Sequence, residues 1–328
     1  RVVGFDATGL GSWDSALLIF LLQGADAAEE RGLGIDRAGL PDQVVRLLDL
    51  ARAVPERVAA GEERVGRVAR IGKAVLDAGD DSLAVVTFTG EVATGFARLL
   101  LRRVRLRWRD FWAVAQSTGA GALPIVSLIA FLVGVIIAFL GVVVLQRFGA
   151  GYYVSYLVGY GMLREMGALM TGIIMAGRTG AAFAAELGSM KITEEIDAYT
   201  TLGISPIDHL VLPRMLGLFV MMPLLVIYAD FVGIAGGMMV AVTLLDLTPT
   251  QFIGGLLSAV TLSDALLGVF KASIFGLIIG LSGCMKGMQT GSDAGAVGRS
   301  ATNAVVMGIT LIILANAVVD WLAALLQI

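Results

Sequence analysis

The sequence predicts an α-helical polytopic membrane protein, with five transmembrane helices plus an interfacial helix, and a partial α/β domain at its N-terminus. Three observations predict it. Hydrophobic residues make up 57% of the 328 residues and mean hydropathy is +0.85, above the roughly 45–50% apolar content of soluble domains. Charge is divided unevenly, because residues 1–110 hold 16 Lys/Arg and 16 Asp/Glu while the other 218 hold eight basic and 11 acidic residues. Five apolar stretches lie in that second part, each meeting the roughly 20-residue requirement for crossing hydrocarbon.

Taken in order, residues 2–6 (VVGFD) read as a strand, and Trp13 to Glu30 as a helix with Leu17, Leu18, Leu21 and Leu22 at helical spacing. Leu33 to Asp36 read as a second strand, and Leu40-Pro41-Asp42 opens an amphipathic helix carrying Val44, Leu47, Leu48 and Ala51. This βαβα segment, residues 1–55, buries too little surface to fold comfortably alone. We expect it to be part of a domain whose other strands lie upstream.

Residues 56–122 read as a helical linker and interfacial helix, ending in Arg98, Arg102, Arg103, Arg105, Arg107 and Arg109 beside Trp108, Phe111 and Trp112. Guanidinium groups meet anionic headgroups while indole rings settle between water and acyl chains. Arg107, Trp108, Arg109 and Trp112 are therefore the expected interfacial contacts. A solvated arginine-rich helix is the plainer alternative.

Residues 123–328 carry the five spans, approximately Leu123 to Leu145, Val154 to Leu187, Leu210 to Leu245, Ala265 to Met285 and Ala301 to Leu326. The third, with Pro213, Pro223 and Gly233, Gly236 and Gly237, is long enough to kink. Basic residues precede span one, lie between spans two and three (Lys191, Arg214), and lie between spans four and five (Lys286, Arg299). The opposite loops hold only Arg147 in one case and none from Leu247 to Asp264 in the other. The positive-inside rule then places the N-terminus in the cytoplasm and the C-terminus outside.

Several classes are disfavoured. No broad basic face suits nucleic acid. One cysteine (Cys284) and one histidine (His209) build neither a disulfide nor a Cys/His metal cage. No stretch fits G-x-x-x-x-G-K-[ST], so any ATP and Mg belong to a separate subunit and no cofactor is expected in this chain.

Charged residues inside spans cost about 2.5–3.5 kcal/mol each on insertion scales, so Arg164, Glu165, Arg178, Asp230 and Lys271 each need a partner or a wet cavity. At about 1.5 Å per residue, Arg164, Glu165, Lys271 and Asn316 fall at similar depths on three helices. They form a candidate polar cluster lining a cavity, with two cations available to a phosphate-bearing headgroup and Glu165 balancing them. A static ion-pair network that locks the helices is the competing reading. Glycine and alanine runs such as 172–188 and 276–287 read as close helix packing. Between spans two and three, residues 186–199 read as a short amphipathic helix facing the cytoplasm, with Glu186, Lys191, Glu194, Glu195 and Asp197 as its charges and Met190, Ile192 and Ile196 as docking side chains.

Arg164-Glu165-Met-Gly, Ala176-Gly-Arg-Thr-Gly180, Ala185-Glu-Leu-Gly-Ser-Met-Lys191, Thr193-Glu-Glu-Ile-Asp197, Leu212-Pro-Arg214, Pro223-Leu-Leu, Lys271-Ala-Ser-Ile-Phe-Gly276 and Gly295-Ala-Val-Gly298 resemble the MlaE-type permease family. The resemblance covers roughly residues 105–328. It implies a homodimeric permease of an ABC transporter that moves phospholipids between inner and outer membranes, working with a cytoplasmic ATPase and an MCE-domain lipid-binding protein. It further implies an inner-membrane location and an ATPase coupling helix at 186–199 (Glu186, Met190, Lys191, Glu194, Glu195, Asp197), and matches Arg164, Glu165, Lys271 and Asn316 to the family's intramembrane polar positions. Two departures stand out: Ala168 occupies a frequent proline position, and Asn316 is uncharged where some relatives carry an acid.

At the N-terminus, Gly9-Leu-Gly-Ser-Trp-Asp-Ser-Ala-Leu17 and Gly39-Leu-Pro-Asp-Gln-Val44 resemble a STAS domain. Ala16 stands at what resembles the usual phosphoacceptor position, which favours constitutive docking over a phosphorylation switch. Asp14-Ser15 also reads as an ordinary helix cap. Two other classes compete with the permease: a STAS-linked solute carrier, which has more spans and places STAS after them, and an intramembrane lipid-modifying enzyme using Glu165, Asp230 and His209.

Overall fold

The computed structural model describes residues 2–5, 7, 14–30, 32–36, 38–53, 67–101 and 107–327. The Gly9 to Trp13 stretch and Arg102, Arg103 and Arg105 lie outside the described residues. The chain divides into two compact units, Arg1–Asp77 and Ala78–Ile328.

In the first unit, strand β1 (Val2–Gly4), helix α1 (Ser15–Glu30), strand β2 (Gly34–Asp36) and helix α2 (Asp42–Ala53) follow the βαβα order read from the sequence. The strands pair in parallel, Val2 with Gly34, Val3 with Ile35 and Gly4 with Asp36. A parallel pair requires a crossover, and α1 supplies it. The leucine spacing acts here, since Leu21, Val44 and Leu48 form a small core joined by Phe5, Leu17, Leu18, Leu22 and Leu40. Asp14 caps α1 by accepting the Ala16 N–H at 2.9 Å.

Helix α3 (Arg67–Leu100) leads into the second unit, followed by α4 (Trp108–Thr118) and α5 (Leu123–Leu145). The second span is one continuous helical rod in which α6 (Val154–Tyr160), α7 (Gly167–Met175) and α8 (Ala181–Ile192) are joined by wide π-turns at Gly161–Met166 and Ala176–Gly180. A short α9 (Glu195–Thr201) and a third π-turn (Ile207–Val211) precede α10 (Leu212–Leu245), which holds Pro223 within its length. Helices α11 (Pro249–Ala259), α12 (Leu262–Met288) and α13 (Ala294–Leu326) complete the chain. Both α11 and α12 start with capping boxes, Thr248 with Gln251 and Thr261 with Asp264.

Six helical segments of the described residues are long and apolar enough to cross a membrane: Ser82–Leu100, Trp108–Phe148, Gly151–Ile192, Ile207–Leu245, Leu262–Met288 and Gly295–Leu326. Five contain the five stretches read from the sequence. The sixth arises because Ser82–Leu100 carries only Glu91 and Arg98 as charges. Its inward stripe (Val85, Phe88, Val92, Phe96) joins the main core, and Arg98 donates to Asp208 at 2.8 Å.

Helix α10 is central, packed on α4, α5, α7 and α12, while α12 packs on α8 and α13. Ala130, Gly134, Ala138 and Gly141 line the buried side of α5. Small residues at that spacing let backbones approach where lipid supplies no hydrophobic drive between helices. Met215, Leu218, Met222, Phe275, Ile279 and Ile312 fill the space between α10, α12 and α13.

Candidate functional site

Arg164, Glu165, Lys271 and Asn316 lie near one another, divided between two ion-pair centres. Lys271 on α12 is fully buried and donates to Glu165 Oε1 at 2.8 Å and to the Arg164 carbonyl at 3.1 Å. It is also ion-paired with Asp320 of α13. Asn316 donates from Nδ2 to Asp320 Oδ2 at 2.8 Å and to Glu165 Oε2 at 3.2 Å. Four side chains from three helices thus close a ring in which one cation serves two carboxylates. The Arg164 side chain leaves that ring: its NH1 donates to Asp264 Oδ1 at 2.7 Å, and the guanidinium lies 5.5 Å from the Tyr160 ring centre.

Local structure explains the split. Arg164 and Glu165 sit in the first π-turn, and π-turns recur at functional positions. Asp264 and Lys271 lie seven residues apart, two turns along one face of α12. Between them, a Cβ on Gly268 would collide with the Leu163 carbonyl oxygen. Only glycine permits that approach, and it brings both pairs of α12 within reach of two consecutive residues.

Asp264 and Asp320 escaped the sequence reading. Asp264 looks like a helix-cap residue, and it does accept from Thr261. Asp320 stands four residues after Asn316, the spacing that places two side chains on one helix face. That spacing was the available signal. It also answers the departure at Asn316, because the acid missing there is supplied one turn later.

The other residues singled out in the sequence fall elsewhere. Asp230 is buried in α10 and packs against Gly167, where an added Cβ would collide with Oδ1. His209 lies in the third π-turn with its ring 6.4 Å from that of Tyr199. Twenty-one residues separate it from Asp230 along one rod, roughly 30 Å, so Glu165, Asp230 and His209 do not converge.

Residues 186–199 are not one helix. Glu186, Met190 and Lys191 end α8, Glu194 adopts a left-handed backbone (φ 59°), and Glu195 and Asp197 begin α9. The break arises where the Thr193 hydroxyl turns back to the Ser189 carbonyl at 3.1 Å, closing α8. Ile196 is buried and Met190 packs on the core, so both anchor the connector from within. The acids remain exposed. Lys191 donates to the Met288 carbonyl at 2.7 Å, and Glu186 accepts from Arg214 at 2.9 Å.

On α4, Trp108 and Trp112 are exposed and Phe111 is buried between them, with edge-on ring contacts to both. Arg107 and Arg109 are exposed. Arg107 lies 3.7 Å from Asp110.

Comparison with known proteins bears on this arrangement. The family described as Permease MlaE matches residues 111–322. A probable ABC transporter permease protein of Rickettsia typhi is 36% identical over 198 residues, 60% of this chain and 76% of the relative. A probable ABC transporter permease protein of Synechocystis is 33% identical over 229 residues, 70% of this chain and 87% of the relative. The Arabidopsis thaliana chloroplastic protein TRIGALACTOSYLDIACYLGLYCEROL 1 is 29% identical over 238 residues, 73% of this chain and 67% of the relative.

Proposed function

The chain belongs to the MlaE permease family, and from that premise we propose that it is the membrane-spanning subunit of an ABC transporter that moves phospholipids between the inner and outer membranes. The observation that carries this reading is the family match over residues 111–322, a range that takes in the whole Lys271 cluster. The Arabidopsis relative, whose name is that of a galactolipid, supports lipid as cargo. No G-x-x-x-x-G-K-[ST] occurs in the sequence, so ATP and Mg are handled by a cytoplasmic ATPase. The exposed acids around the α8–α9 break are the surface offered to that ATPase. An MCE-domain protein receives or delivers lipid, and a second copy of the chain completes the permease.

In this reading five helices cross the inner membrane and Ser82–Leu100 lies along its cytoplasmic surface. Residues Ser82 and Val85 border Lys286 and Asn303, residues Phe88 and Glu91 border Gln289, and Arg98 reaches Asp208. Lys286, Gln289 and Asp208 stand at helix ends, and Asn303 lies in the third turn of α13; all are met in turn along α3. The cluster of Arg164, Glu165, Lys271 and Asn316, with Asp264 and Asp320, ties three spans together.

Purification in mild detergent, with mass spectrometry of copurifying proteins and lipids and an ATPase assay on the intact complex, tests the reading. The expected result is a P-loop ATPase and an MCE protein carrying phospholipid. A lone chain that chemically alters phospholipid without any ATPase overturns it.

A further inference from the structure

Arg178, toward one end of the second span, stands outside the ion-pair cluster. Arg178 lies in the second π-turn and is exposed. Among the described residues no carboxylate lies within ion-pairing distance of it. One of its five N–H donors reaches the Ser117 carbonyl at 3.2 Å.

Its surroundings form a groove of about 600 Å³ between α4 and the π-turn, lined by Ser117, Thr118, Arg178, Ala182, Phe183 and Glu186. The single carboxylate on that lining is committed elsewhere, since Glu186 is paired with Arg214. Arg214 also covers the Phe183 ring from 5.7 Å. The groove is therefore positive at one end and apolar along its floor. Gly121 leaves space for the guanidinium, because a Cβ there would stand 2.8 Å from Arg178 NH2.

Position selects the occupant. Gly121 comes two residues before α5, whose 23 residues span roughly 34 Å, about the thickness of a hydrocarbon core. Arg178 thus lies at the boundary of the bilayer, on the side where the exposed Trp108 and Trp112 of α4 also stand. We propose that this groove binds the phosphate of a phospholipid of the adjoining leaflet through Arg178, with an acyl chain laid over Ala182 and Phe183. The proposal rests on the reading of the chain as a phospholipid permease and assigns it a headgroup site separate from the Lys271 cluster.

The test places photoactivatable benzoylphenylalanine at Ala182 in the full chain, held in nanodiscs of equal parts phosphatidylglycerol and diacylglycerol. Light-induced lipid adducts are identified by mass spectrometry. Phosphatidylglycerol adducts should dominate by about tenfold, the ratio expected when one charge-assisted hydrogen-bonded contact is present for one lipid and absent for the other. Arg178→Gln should erase the preference and Arg178→Lys should keep most of it, at matched melting temperatures. Gly121→Val should also weaken it by displacing the guanidinium. Adducts in proportion to membrane content, or a preference that survives Arg178→Gln, overturn the proposal. So does a preference abolished by excess inorganic phosphate, which would assign the site to a free anion. ATP-driven lipid transfer, measured on the same preparations with the partner ATPase, separates the two readings. A headgroup preference without transfer removes the permease function and leaves the groove, whereas transfer without preference removes the groove alone.

Discussion

Fully buried Lys271 bridges the partly buried Glu165 and Asp320, so its removal leaves two carboxylates facing each other. Breaking such a buried set by deleting one partner costs roughly 3–5 kcal/mol. Lys271→Met should therefore melt well below wild type in detergent. The neutral triple Lys271→Met, Glu165→Gln, Asp320→Asn should regain most of that loss, because near-isosteric replacement of a whole buried set is often close to neutral. Transport by the triple variant then discriminates between roles. Activity regained with stability means the charges lock helices, and activity still absent means they act on cargo or its path. At this scale the sequence was legible where cost made residues conspicuous: Arg164, Glu165 and Lys271 stand out because charge inside an apolar run demands a partner. Asp264 and Asp320 were harder to see because each sits near a helix end, where an acid needs no special explanation. The pairing of Arg164 with Asp264, in place of membership in the Lys271 ring, depends on a π-turn, and no spacing rule announces one.

Between elements, the close approach of α12 to the first π-turn is set at Gly268. Gly268→Ala places its Cβ against the Leu163 carbonyl oxygen, a backbone atom that cannot rotate away. Forcing the helices apart should cost about 1–3 kcal/mol, seen as a lower melting temperature with loss of both neighbouring ion pairs. A melt indistinguishable from wild type would mean that the helices are not held in this contact. A second element-level test concerns α3 and the turn before α10. Arg98 and Asp208 meet at 2.8 Å with Arg98 nearly half exposed, so the pair contributes no more than about 1 kcal/mol to stability. Its value lies in position, between α3 and the segment that follows the α9 connector. Arg98→Asp and Asp208→Arg should each lower ATPase stimulation by lipid, and the swapped double variant should restore it; failure of the double variant removes the coupling role. Span existence was legible in apolar run length, and α5 was read to the residue. The single amphipathic helix expected over 186–199 was not, because charge pattern carries no record of the left-handed turn at Glu194 that ends one helix and begins another.

For the whole molecule, the described helices include six segments long and apolar enough to cross, where the apolar stretches of the sequence predict five. The two counts differ only in Ser82–Leu100. Glu91 lies at the middle of that segment with no ion-pair partner among the described residues, and a charge at the bilayer centre costs about 2.5–3.5 kcal/mol even on lenient scales. Its neighbours also pass from Asn303 on α13 to Gln289 after α12 to Asp208 before α10, across three helices and not down one. Both arguments favour a helix on the surface. The topologies part company at the N-terminal unit. With five crossings it lies opposite the C-terminus, and with six the two lie on the same side. Replacing the buried Cys284 by Ala and introducing single cysteines at exposed Gln43, Thr250, Ser292 and Gln327 makes this measurable with a membrane-impermeant maleimide on spheroplasts. Thr250→Cys and Gln327→Cys should label from outside and Ser292→Cys should be protected, which fixes the orientation of the spans. Gln43→Cys then decides the count: protection gives five crossings with α3 at the cytoplasmic surface and the N-terminal unit on that same side. Labelling from outside gives six crossings and places that unit beyond any contact with ATP-hydrolysing machinery.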